Sequence, residues 1–245
     1  MMRCLLVGLS LTLPALPQST AQPTVNEKLH DVRYDLRIEG GKLAGSAAPV
    51  LEKAISGAQY VLIGEDHITH EIPQLVAAVC DMMAPDGLTA MAVEAGPQAA
   101  KVVAASLRKP DRLARMAALT DRYPDSVAFL NMQEENDLVE HCAEASHNPN
   151  FQLWGLDQEL MGSAGWLLDE ILATRPGTAA MAALTQMKTE EQKDAAIAKE
   201  SGDPSKTFLL AASEAQLSEV AAALKHEGNA AANELFHELV ESHEI

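Results

Sequence analysis

Basic residues are scarce in this chain: 18 Lys and Arg stand against 35 Asp and Glu, for a formal net charge of −17. A surface of that sign repels phosphate backbones and anionic lipid headgroups, which argues against nucleic acid and acidic membrane surfaces as partners. Aromatic residues make up only 4%, a poor composition for the apolar, axially liganded pocket that haem requires. Cysteine is nearly absent, with Cys4, Cys80 and Cys142 alone. One pair is no disulfide scaffold for a domain of this size, and each later cysteine falls on the apolar face of an expected helix, so buried free thiols are expected. The sequence contains no GxSxG elbow, GxxxxGK[ST] loop, GxGxxG turn, CxxC pair or HExxH helix. The usual signatures of serine hydrolases and nucleotide enzymes are therefore missing.

The first residues read as an export leader. Arg3 supplies the positive start, Leu5 to Leu16 the apolar core, and Ser19-Thr20-Ala21 the small residues before a cleavage site. The apolar stretch is shorter than the roughly 20 residues of a membrane span. The expected organisation is a signal peptide over 1–21, an α/β core over 22–175 and a helical extension of the same domain over 176–245. The mature protein is then exported, periplasmic or secreted, with no membrane attachment after cleavage. The remaining 224 or so residues suffice for one domain with a real core.

Val32, Tyr34, Leu36 and Ile38 alternate with charged residues, the period of a half-exposed strand ended by Gly40-Gly41. A short helix follows over 49–56. The run 60–64 (Tyr-Val-Leu-Ile-Gly) is the first expected buried strand. Ile72, Leu75, Val76, Val79, Cys80 and Met83 then form one helical stripe, with Pro73 confined to its first turn. A second strand is expected over 89–94, helices over 97–108, 111–119 and 131–146, and a third strand over 151–156, where Trp154 reads as core. Alternation of this kind predicts a small, mostly parallel sheet flanked by helices. Beyond residue 160 only helices are expected, over 166–172, 178–199, 205–226 and 229–243.

All three apolar strands end on acid. Gly64 is followed by Glu65, Asp66 and His67, Val93 by Glu94, and Leu156 by Asp157. Ligands and chemistry collect beyond the carboxyl ends of parallel strands. The candidate site is thus Glu65, His67, His70, Glu71, Glu94 and Asp157. Two histidines at a helix start are not explained by the helix dipole, which favours acids there. His67, His70 and Glu71 are spaced to share a helix face, suited to a divalent metal or to a histidine base oriented by a carboxylate. Glu159 repeats the arrangement two residues after Asp157, the stronger candidate of the two. Asn131, Glu134 and Glu135 open an acidic helix near the rim and read by default as a solvated face. The other histidines carry little weight.

Gly64-Glu65-Asp66-His67, Val93-Glu94-Ala95 and Gly155-Leu156-Asp157 together resemble the superfamily of erythromycin esterases and the haem-uptake lipoprotein ChaN, across about residues 31–175. The first motif has the ChaN spacing, and the other two look closer to the esterases. The esterase resemblance implies a hydrolase in which Glu65, His67 and Glu94 activate water against an ester or amide of a small molecule. The ChaN resemblance implies haem or iron binding without catalysis, and the more distant Tiki-type members imply metal-dependent peptide cleavage. The resemblance further implies later sheet strands with another histidine, which this chain lacks, so a truncated, inactive relative is a third expectation. Leu235, Phe236, Leu239 and Val240 form a late apolar stripe with no later element to cover it, which predicts self-association through the C-terminal helices.

Overall fold

The computed structural model describes residues 24–245, and the expected leader over 1–21 lies outside the described residues. The described residues up to Asp35 belong to a unit separate from Leu36–Ile245, and their one helix is α1 (Val25–Asp31).

Helices dominate the unit Leu36–Ile245. A small antiparallel hairpin, β1 (Arg37–Glu39) with β2 (Lys42–Ala44), precedes α2 (Ala48–Ile55) and α3 (Glu71–Met83). The strand expected from the alternation over 32–38 therefore survives only as its last residues. Positive φ at Gly40 and Gly41 lets the chain reverse there and pair with itself instead of joining a larger sheet. Next come β3 (Ala90–Val93), α4 (Pro97–Ser106), α5 (Arg112–Arg122), α6 (Gln133–Ala145) and β4 (Gln152–Gly155). The chain ends in α7 (Ala164–Ala173), α8 (Thr178–Ser201), the single turn α9 (Phe208–Ala211), α10 (Glu214–Glu227) and α11 (Ala230–Glu244).

The fold is mixed α/β, but among the described residues its parallel component is one pair. β3 and β4 run side by side with Ala90 opposite Gln152 and Val93 opposite Gly155. The segment 60–64 forms no strand, contrary to expectation. Among the described residues, no backbone–backbone hydrogen bond reaches it, and Leu62 is 92% exposed. β-branched and apolar residues favour extended backbone, but a ladder also needs a neighbour within reach. Here α3 packs on α6 rather than closing over the sheet. A groove of about 1050 Å³ is left between α3, residues 58–65 and β3.

That packing is locked covalently. Cys80 on α3 and Cys142 on α6 form a disulfide, with Cα atoms 5.3 Å apart, so the expectation of free thiols is overturned. Both cysteines do lie on buried helix faces, as their spacing suggested, and those faces meet. Leu88, Leu138, Ala143 and Phe151 pack around them.

α4 covers one face of the β-pair, burying Leu153 against Ala99, Ala100 and Val103. The opposite face is open, and Trp154, expected in the core, is 48% exposed there with its indole N–H donated to Gln152. The C-terminal helices bury Leu167, Leu168, Ile171, Leu184, Leu224 and Leu239 in their own core. Phe236 is also buried, and Leu235 and Val240 pack against the same cluster. The late stripe thus has cover within the chain, from α7 to α10. The helix expected over 205–226 is broken. A Pro204 turn and a capping box between Ser213 and Gln216 restart it at Glu214, because Ser-x-x-Gln satisfies the orphan amides that a continuous helix would not expose.

Candidate functional site

The ladder between β3 and β4 continues past both strands. Leu156 N–H donates to Val93 O at 3.1 Å and Asp157 N–H to Ala95 O at 3.2 Å. Glu94 and Asp157 therefore leave the sheet at the same end. Gly155 permits this close passage, because a side chain there would run into the Ala95 and Gly96 backbone.

Glu65 and His67 reach the same rim from a loop instead of a strand. Glu65 Oε1 lies 3.2 Å from His67 Nδ1, and His67 Nε2 faces Glu94 Oε2 across 4.0 Å. The imidazole stacks on Phe129, with ring centroids 4.4 Å apart and planes 17° from parallel. Ile68, just after the histidine, and Phe129 itself both hold positive φ. For a β-branched or aromatic residue this is strained backbone, costing on the order of 1–3 kcal/mol. Both strained residues flank or form the stack that fixes the imidazole plane.

His70 and Glu71 fare differently. His70 immediately precedes α3, makes no capping hydrogen bond, and points its Nδ1 toward Glu134 Oε1, 3.6 Å away, in an exposed pair. Glu71 is exposed in the first turn of α3 and lines neither cavity. Of the six candidate residues, Glu65, His67, Glu94 and Asp157 thus gather at the rim, with His70 and Glu71 beside it.

Two residues read from sequence as a solvated face belong nearer the rim. Glu134 meets His70, and Glu135 is half-buried in the groove wall. Burial, reinforced by the Glu65 and Glu134 carboxylates, pushes Glu135 above the ordinary glutamate range, opposed by His67. Nothing local in the sequence marks Phe129; its role arises only where the loop before α6 crosses the rim. Glu159 was passed over for Asp157, yet it is 1% exposed and lines a second, smaller cavity of about 240 Å³ behind Glu94 and Asp157.

The two cavities share Glu94, Ala95, Phe129 and Asp157, and neither is lined by Lys or Arg. The larger is walled by Val61, Ile63, Val76, Met91 and Trp154 among other apolar side chains. Among the described residues, no three His, Cys, Asp or Glu side chains are arranged to hold a metal ion. Comparison of the chain with family models, with curated proteins and with solved structures gave no match.

Proposed function

We propose that the protein is an exported hydrolase of the erythromycin-esterase-like type, attacking an ester or amide with water. The carrying observation is His67, bridged on one ring nitrogen by Glu65 and facing Glu94 with the other at the mouth of an apolar groove. Glu65 accepts from Nδ1–H and so leaves Nε2 as the base. The 4.0 Å between Nε2 and Glu94 is too long for a direct hydrogen bond and suits one water touching both. His67 would take the proton of that water as its oxygen attacks the carbonyl. Glu94 would orient the water, and Asp157 would complete the rim.

With carboxylates and no cation lining it, the site suits a neutral or cationic substrate and repels an anionic one. The same carboxylate lining disfavours the anionic propionates of haem, which makes the haem-binding ChaN-like module the weaker reading. Export is supported by the leader and by the Cys80–Cys142 bond, which persists in oxidising compartments. The test is turnover of a panel of neutral esters by wild type and His67→Ala. A positioned base contributes about 10²–10⁴-fold, and wild-type turnover that survives the substitution would remove His67 from the mechanism.

A further inference from the structure

Hydrolysis delivers a proton to the departing oxygen or nitrogen as well as taking one from the water, and at the rim only His67, once protonated, is placed to return it. Behind Glu94 and Asp157 lies the smaller chamber, walled by Phe129, Leu209, Leu210 and Glu159. Glu159 is held there with unusual asymmetry. Its Oε1 accepts from the Gln98 backbone N–H at 2.6 Å, capping α4, and its own N–H donates to Ser242 Oγ at 3.0 Å. Its Oε2 is buried and has no partner. Gly96 makes this seat possible, since any side chain there would overlap the carboxyl.

Resting on the hydrolase reading, we propose that this chamber receives the leaving group and that Glu159 is the acid that protonates it. The balance is simple. The water oxygen bonds to the carbonyl carbon, His67 takes the water proton, and the bond from carbonyl carbon to leaving group breaks. The leaving atom keeps that electron pair and takes the proton from Glu159 Oε2. Solvent then carries the proton from His67 back to Glu159, and the net change is addition of one water.

The surroundings raise this carboxyl's hold on its proton toward neutral pH. Burial pushes Glu159 up to about 7, against the pull of the Gln98 and Ala99 amides. Glu238 on α11 raises it further, while Lys101 on α4 lowers it. Lys101 is itself paired with Glu234 and Glu238, which blunts its effect. Across the chamber stand Glu94 and Asp157, so every other charge lining the chamber also favours the neutral form. Two carboxyls near one bond with separated proton affinities divide into acid and base helper.

A chamber of about 240 Å³ admits a small neutral or cationic alcohol or amine, leaving the apolar acyl portion to the large groove. The test compares ethyl butyrate with 4-nitrophenyl butyrate. An ethoxide needs the proton, whereas nitrophenolate leaves without it. For Glu159→Gln, which keeps the oxygen that caps α4, the loss on the ethyl ester should exceed the loss on the nitrophenyl ester by about 10²-fold. The fall in rate above about pH 7 should vanish with it. A second variant, Leu210→Trp, fills the chamber from a half-exposed position. It should slow butyrate esters increasingly as the alcohol grows from methyl to benzyl. Equal losses on both esters with the pH limb retained, or losses blind to alcohol size, overturn the proposal and leave the hydrolase standing. No wild-type turnover of either ester overturns both.

Discussion

Breaking the Cys80–Cys142 bond should cost the protein a large share of its stability. The bond joins residues 62 apart, and cross-linking a loop of that length removes about 14 cal/mol/K of entropy from the unfolded chain, or about 4 kcal/mol at 25 °C. Domains of this class have roughly 5–15 kcal/mol in total. α3 has no continuous contact with the sheet to fall back on, because the groove separates them and α6 is its main neighbour. Urea unfolding followed by tryptophan fluorescence, with and without reductant, measures the loss. Reduction keeps both sulfur atoms in place, and a Cys80→Ala/Cys142→Ala double variant checks it. At roughly 2–4 °C per kcal/mol for a chain of this size, the melting midpoint should fall by about 8–16 °C. The order of loss is also specified. A Trp154→Phe background reports Trp166 in the C-terminal core, and at low urea reduction should disturb the α3 side of the groove before that signal moves. A midpoint unmoved by reduction, or two free thiols titrated in the native protein, would refute the argument.

Glu159 makes stability depend on pH in a defined sense. Its folded-state proton affinity is raised from 4.5 to about 7, so the folded state binds the proton more tightly. The resulting stabilisation is complete below pH 4.5 and is lost as pH rises toward and through 7, by about 3 kcal/mol at 1.4 kcal/mol per unit. In urea titrations across that range, Glu159→Gln should flatten the slope; a slope identical to wild type counts against a buried titrating carboxyl. Gly96→Ala should cost about 1–3 kcal/mol by driving the Glu159 carboxyl from its seat, and a neutral result by the same assay would mean the seat is loose. Phe236→Ala should cost about 3–5 kcal/mol from the buried C-terminal core without altering the mass measured by light scattering. A dissociating oligomer would instead restore the stripe as an interface.

The order and approximate bounds of most helices were legible in the sequence, 205–226 excepted, because each carries its own period and punctuation. Gly87, Gly202, Pro97 and the Asn229 cap act within a few residues, and local signals survive any tertiary arrangement. The acids ending the 90–93 and 152–155 strands were legible for the same reason, and one parallel ladder sufficed to align them. What the sequence left open was everything requiring two distant segments to meet. Residues 60–64 have strand composition but no ladder, since pairing depends on whether α3 leaves β3 within reach. Cys80 and Cys142 looked like separate buried thiols until α3 and α6 faced one another. Glu135 read as part of a solvated face and Glu159 as the weaker of two strand-end acids, and burial, set by distant segments, did most to change their chemistry. Composition and period fix which residues seek the interior; only the packed chain decides which of them find each other there, because that choice is made by contacts between segments rather than within them.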